Sequence, residues 1–218
     1  MIVDDGPQWF RLRALMFRGT AISAGDQSYR IAPTRVVAWD YGSLRHAPTY
    51  PGAIRQPVVL PRTTSDDPAS PYTSPSLVAA LEASRVMILA SCSASGRPFA
   101  VPLWFAPHRG RLYATTSASS WTVRNVLVRP EATVLLGGER GQGAERLVVS
   151  AHVRAAPGTP KAAVLARIAW RYYCAPRFAA VELGHIRLWG RRVRYYGQSR
   201  PAYLVITPQS TDERLAPT

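Results

Sequence analysis

The chain has 218 residues, 47% of them hydrophobic, and a formal net charge of +14. That length suits one domain with a sizeable core plus extensions. No apolar run reaches the roughly 18 residues of a membrane-spanning helix. The start lacks the apolar core and cleavage site of a signal peptide, so the composition reads as a soluble, cytoplasmic protein.

The charge is unevenly spread. Residues 1–76 carry 8 Arg against 6 acidic residues, whereas residues 77–218 carry 19 Lys plus Arg against 7. Lys161 is the only lysine. Arginine suits fixed, bidentate contacts to phosphate or carboxylate. A GC-rich genome also favours arginine, but does not account for the excess over acids. Cys92 and Cys174 are far apart and read as buried or free thiols of a reducing compartment. His46, His108, His152 and His185 show no metal-ligand spacing.

Residues 1–75 read as an N-terminal extension, Pro-rich and partly disordered. Trp9, Phe10, Leu12, Leu15 and Met16 with Arg11, Arg13 and Arg18 suit one short amphipathic helix. It would pack on the main domain or a partner subunit, or lie on a membrane surface as a peripheral contact. Beyond Gly19 the prolines at 48, 51, 57, 61, 68, 71 and 75 break any long helix. Residues 35–39 and 56–60 read as short extended pieces along the surface. A start further downstream is an alternative for this whole region.

Residues 76–208 read as the main domain. Ser76 can cap a helix over 77–84. The apolar run from Val86 to Ala94 reads as the first strand, with a turn at Ser95-Gly96. Phe99, Val101, Leu103 and Phe105 then alternate with Ala100, Pro102 and Trp104, the period of a half-buried strand. His108-Arg109-Gly110 supplies a turn, and Leu112 to Thr115 returns as a strand. From 115 to 122 hydroxyls dominate: Thr115, Thr116, Ser117, Ser119, Ser120 and Thr122. Ser119 or Ser120 can cap a helix running to about Arg129. A strand feeding a helix start lined with hydroxyls and free backbone N–H groups suits a phosphate.

Glu131 to Gly138 reads as a further strand. The glycine-rich loop 139–144 lacks the Lys-Ser/Thr pair of a phosphate loop. In the strand 146–155, Leu147, Val149, Ala151 and Val153 share one face. Val148, Ser150, His152 and Arg154 share the other, which makes His152 a surface or cavity-wall residue. Thr159-Pro160 opens a helix with Val164, Leu165, Ile168 and Tyr172 as its apolar stripe. Arg187, Arg191, Arg192, Arg194 and Arg200 interleave with Trp189, Tyr195 and Tyr196. That cluster fits an anion-binding wall, a nucleic-acid patch or a solvated basic element. Residues 201–208 form a closing strand, and the tail 209–218 reads as loose. No nucleophile or acid–base constellation is present.

Gly96-Arg97-Pro98, Val101-Pro102-Leu103-Trp104-Phe105, Leu112-Tyr113, Ser120, Val123-Arg124-Asn125-Val126 and Pro130 fall in one register. On these residues the chain resembles the pyridoxamine-phosphate-oxidase-like split barrels, the flavin and deazaflavin oxidoreductase superfamily. The resemblance covers about 77–175 and resumes at Tyr203 to Pro208. Thr122 stands where the family carries a phosphate-binding Lys, and Trp121 where it carries an Arg. The Glu-(aromatic)-Trp-Gln and Arg-Leu-His signatures of the vitamin B6 oxidase itself are missing, so pyridoxamine phosphate is not the expected substrate.

The resemblance implies a mainly β fold with flanking helices: a split β-barrel of the FMN-binding, Greek-key type. It also implies a homodimer holding its cofactor at the subunit interface. The cofactor is FMN or a deazaflavin of the F-420 type, the positive charge favouring the latter, with haem as a lesser alternative. In such enzymes the ring carries the hydride and the protein binds and orients it, so the missing catalytic side chains count little. The phosphate would sit at Thr115, Thr116, Ser117, Ser120 and Thr122. The ring would lie against Val101, Pro102, Leu103 and Trp104, where Pro102 interrupts pairing.

Trp104 or Trp121 would stack on the ring; the alternatives are a barrel plug and a dimer-interface aromatic. Arg97, Arg124 and the arginines at 187–200 could replace the missing lysine charge, although Arg124 could equally be a solvated helix charge. Asn125 would tie its helix to a neighbouring turn. The expected activity is hydride transfer to a small conjugated acceptor of quinone or enone type. The alternatives are a flavin or haem binder without turnover, and a basic binder of anionic surfaces.

Overall fold

The computed structural model describes residues 2–4, 13–25, 29–40, 56–61, 74–137, 146–174, 180, 183–184, 186–190 and 200–215. The chain divides into two units, Met1–Gly52 with His185–Tyr195, and Ala53–Gly184 with Tyr196–Thr218.

The first unit contains an antiparallel sheet of β1 (Ile2–Asp4), β2 (Arg13–Ser23) and β3 (Tyr29–Asp40), in that order. This corrects the amphipathic helix expected near residues 9–18: residues 13–18 are strand, and residues 9–12 lie outside the described residues. Leu15, the one residue of the expected stripe whose side chain is described, is 40% exposed. Thr20, Ile22, Val36 and Val37 favour strand, and cross-strand pairing over the length of β2 outweighs a weak helical period. The extended piece at 35–39 falls inside β3, as expected.

The β2–β3 register shifts between Arg18 and Gly19, where Arg18 pairs with Arg35 and Gly19 with Pro33. Thr34 is the extra residue, and its hydroxyl donates to the Arg18 carbonyl at 3.2 Å. A Cβ on Gly19 would stand 1.9 Å from the Ala32 carbonyl oxygen. Backbone cannot move aside cheaply, so Gly19→Ala is expected to cost about 1–3 kcal/mol, the usual range for overpacking. Amide exchange over residues 13–40 would accelerate in that variant; unchanged protection would contradict the bulge geometry.

In the second unit α1 (Pro75–Ala83) is capped by Ser74, whose hydroxyl accepts from the Leu77 N–H at 3.3 Å. The cap is thus two residues earlier than Ser76, because Pro75 fits the first helical position. Seven antiparallel strands follow. These are β4 (Val86–Cys92), β5 (Pro98–Trp104), β6 (Ala106–His108), β7 (Arg111–Ser117), β8 (Glu131–Leu136), β9 (Arg146–Pro157) and β10 (Pro201–Leu215). Their order is β5-β4-β8-β9-β10-β7-β6. Helix α2 (Trp121–Val128) joins β7 to β8, and α3 (Ala162–Ile168) follows β9. β5 and β7 touch although four strands separate them in the order, so the sheet curls into a half-barrel. This is the split-barrel fold.

The concave core follows the alternation seen in the sequence. Met87, Leu89, Phe105, Leu112, Leu204 and Ile206 are fully buried. On β9, Leu147, Val149, Ala151 and Val153 are buried, and His152 is on the other face. There its Nδ1 lies 3.0 Å from Glu131 Oε1, its cross-strand partner, so it is a surface residue.

Further expectations in this unit need correction. β10 does not stop near 208: after a register shift it pairs with β9 as far as Leu215 opposite Arg146, so the tail is not loose over those residues. The strand partner supplies what the polar sequence 209–215 lacks. α3 begins at Ala162, and Leu165 is 37% exposed, outside the buried stripe. A π-helical turn, Ala169–Tyr173, follows α3 and rotates Tyr172 into the core. The glycine-rich loop at 139–144 lies outside the described residues. So do Arg191, Arg192, Arg194, Tyr195 and Tyr196; Arg187 is exposed in the short helix Ile186–Leu188 of the first unit.

Candidate functional site

β7 ends at Ser117, and the turn 118–120 delivers the chain to α2. Ser120 is the N-cap: its hydroxyl accepts from the Val123 N–H at 3.2 Å and from the Thr116 hydroxyl at 3.2 Å. The Ser117 and Ser119 hydroxyls are 2.7 Å apart, and the Ser119 N–H donates to Ser117 Oγ at 3.1 Å. These hydroxyls therefore organise one another and the helix start. Thr115 is exposed; Thr116, Ser117, Ser119 and Ser120 are half-buried. The Thr122 backbone N–H has no partner among the described residues. It remains a first-turn donor at the positive end of the helix dipole.

Not every residue singled out in the sequence reaches this surface. Thr122 and Asn125 are each 4% exposed and lie with Val123 and Val126 on the packed side of α2. Asn125 Nδ2 donates to Ser91 Oγ at 3.1 Å. It ties the helix to strand β4 rather than to a turn, and each buried polar group satisfies the other. Trp121 is 39% exposed on the outer side of α2.

β5 is an edge strand. Val101 and Leu103 pack on the core, and Pro102 is exposed. Pro102 does not interrupt pairing: the β4–β5 ladder runs through Pro102 opposite Ile88 with no shift. Trp104 is held by its neighbours. Its ring stacks on Tyr172 with centroids 4.7 Å apart and planes 3° apart, and meets the edge of Tyr173 at 6.0 Å. One face of that indole is thus covered.

Among the arginines considered for the missing lysine charge, Arg124 and Arg200 meet the turn. The Arg200 carbonyl accepts from the Ala118 N–H at 3.0 Å. Arg200 has φ 46, an uncommon left-handed backbone for a residue with a side chain. Arg97 sits in the β4–β5 turn, and Arg129, just past α2, donates to Ala94 in that same turn. Arg97 therefore lies toward the far end of α2.

The extended piece expected at 56–60 is a further contributor, and its docking on α2 was not expected. Residues 56–61 run along the first turn of α2. The Val58 N–H donates to the Ala118 carbonyl at 3.1 Å, and Arg124 Nη2 donates to the Gln56 carbonyl at 2.5 Å. Val58 and Leu60 pack against the core. The apolar run Val58-Val59-Leu60 between Pro57 and Pro61 marks an extended piece but not what it docks on.

The electrostatics favour anions. Among residues with described side chains the acids are Glu82 and Glu131. The guanidiniums of Arg124, Arg129, Arg167 and Arg171 instead donate to backbone carbonyls. A neutral acceptor satisfies the donor and leaves the charge uncompensated. His108, on the β6–β7 hairpin, titrates below its usual range. Burial is the main cause, followed by Arg167, Arg109 and Lys161. Neutral hydroxyls, a free N–H and neighbouring guanidiniums make a donor set that fits a phosphate. Among the described residues no His/Cys/Asp/Glu group could hold a metal. Cys92 and Cys174 are free thiols.

The chain belongs to the pyridoxamine 5'-phosphate oxidase family, whose model matches residues 73–201. Solved structures similar in fold include the haem-storage protein HutZ from Vibrio cholerae, with 14% identity, TM-score 0.47, and 64% of this chain and 92% of that one covered. Another is a conserved hypothetical protein from Mycobacterium tuberculosis, with 17% identity, TM-score 0.46, and 70% and 90% covered. A third is an F420 reductase, with 18% identity, TM-score 0.44, and 62% and 94% covered. No curated protein matches the chain in sequence. Among the described residues no helix is long and apolar enough to cross a membrane.

Proposed function

We propose that the split-barrel unit binds a flavin-type cofactor, FMN or a deazaflavin, and serves in reduction of a small conjugated acceptor such as a quinone or enone. The observation that carries this reading is the partly exposed turn of hydroxyls at the start of α2, with the unpartnered Thr122 N–H and Arg124 beside it. Thr116, Ser117, Ser119 and Ser120 would hold the cofactor phosphate, and Arg124 and Arg200 would supply charge. When bound, the ring supplies the hydride chemistry. The chain's part is to fix the phosphate and to offer the β5 edge as a wall for the ring. The proposed assembly is a cytoplasmic homodimer with the cofactor at the subunit interface, where the exposed Trp121 would contribute an aromatic face.

A second reading is a binder of flavin or haem without turnover. It is favoured by Thr122, which occupies the expected lysine position, is buried and carries no charge. Neutral donors hold an anion more weakly than charge-assisted ones. Titrating the purified protein with FMN, a deazaflavin and haem, followed by visible absorption, tests both readings. Uptake of FMN or deazaflavin at one per subunit, with reduction of a quinone, supports the first. Saturable binding without turnover supports the second, and no uptake of any of the three removes both.

A further inference from the structure

The segment 56–61 has no strand partner among the described residues, yet it docks on the start of α2. Among the described residues two hydrogen bonds hold it, Val58 N–H to the Ala118 carbonyl and Arg124 Nη2 to the Gln56 carbonyl. Val58 and Leu60 are only partly buried against the core, and Val59 is 93% exposed. Segments with few buried contacts open at low free-energy cost. Both anchor points belong to the proposed phosphate site: Ala118 lies inside the hydroxyl turn, and Arg124 is the helix guanidinium next to it. That guanidinium is engaged by a neutral carbonyl, whereas a phosphate would add an opposite charge and could accept two parallel bonds from the guanidinium fork. The buried Arg124 Nε has no partner, so its present position leaves one donor unsatisfied as well.

Resting on the cofactor reading above, we propose that residues 56–61 form a strap that closes the candidate phosphate site, with Arg124 as its latch, and that an incoming phosphate displaces it. Strap and anion compete for one surface and one guanidinium. A ligand that lacks the phosphate has no means of opening it, so FMN and riboflavin should behave differently.

The test uses the full chain. In the free protein the Val58 amide is expected to be protected from hydrogen exchange. Saturating FMN should accelerate its exchange about tenfold or more, and riboflavin should leave it unchanged. Val58→Pro removes the strap's N–H donor and leaves Arg124 and the turn intact. It should bind FMN about tenfold more tightly than the parent, with riboflavin affinity unmoved. If the parent binds FMN but Val58→Pro binds it no better, or if FMN slows Val58 exchange, the strap is not a competitor, and the cofactor reading stands without it. If neither protein binds FMN, both are overturned.

Discussion

Ser120→Asp is expected to abolish FMN and deazaflavin uptake while leaving the fold intact. Asp caps helices as well as Ser does, so the bond to the Val123 N–H survives and the Thr116 hydroxyl keeps an acceptor. What changes is charge. A carboxylate at the turn would stand roughly 5 Å from a bound phosphate, which at an effective dielectric near 20 costs about 3 kcal/mol per unit charge. Affinity should fall at least ~100-fold, with the melting temperature moving by only a few degrees. Ser120→Ala is the control: it loses the cap, about 1 kcal/mol of stability, but adds no repulsion. Flavin fluorescence titration and thermal melting read the two effects separately. Unchanged affinity in Ser120→Asp would remove the turn from the site.

The largest purely structural effect is expected at Tyr172. This side chain is 6% exposed and lies flat on Trp104. Its hydroxyl accepts from the Phe105 N–H at 2.8 Å and reaches the Arg85 carbonyl at 2.7 Å and the Phe105 carbonyl at 2.8 Å. Arg85 precedes β4 and Phe105 follows β5, so one hydroxyl fastens the two chains where their ladder ends. Arg171 completes the junction. It donates to the Leu81 and Ser84 carbonyls at the C-terminal end of α1 and places its guanidinium 4.9 Å from the Phe105 ring centroid. Tyr172→Phe keeps the stack and strands the buried Phe105 N–H. The expected loss is about 1–3 kcal/mol, about 2–4 °C of melting temperature per kcal/mol for a chain of this size. Tyr172→Ala should lose more, about 3–5 kcal/mol, because it also opens a cavity.

The same group makes a pH prediction. Burial, the leading cause, raises the Tyr172 hydroxyl above its ordinary value of 10.0. The unfolded chain therefore loses this proton first. The stabilisation is fully present below about pH 10 and is lost as pH rises from there through the folded value. The parent should melt progressively earlier in that alkaline window. Tyr172→Phe, starting lower, should lack that share of the slope. Equal slopes in both proteins would show that the hydroxyl is not buried as described.

Much of this architecture was legible in the sequence because it rests on local periodicity. The apolar run at 86–94 and the period-two runs at 99–105 and 146–155 became β4, β5 and β9, and the Ser120 cap and the helix after it fell into place. What was not legible depends on partners distant in sequence. The polar residues beyond Gln209 are strand because β9 is there to pair with them. Residues 13–18 are strand because residues 35–40 lie opposite. The burial of Thr122 and Asn125 follows from which side of α2 meets β4, and a helix of eight residues does not announce that in its own sequence. The docking of 56–61 was hidden for the same reason, since an extended piece shows its purpose only against its acceptor.

The position of β5 has one more consequence. Pro98 and Pro102 both lie on this outermost strand and both are exposed. In such strands proline sits where its missing donor faces outward, which blunts the border against strand addition. Strand addition by a second molecule is therefore disfavoured along this border at those two positions.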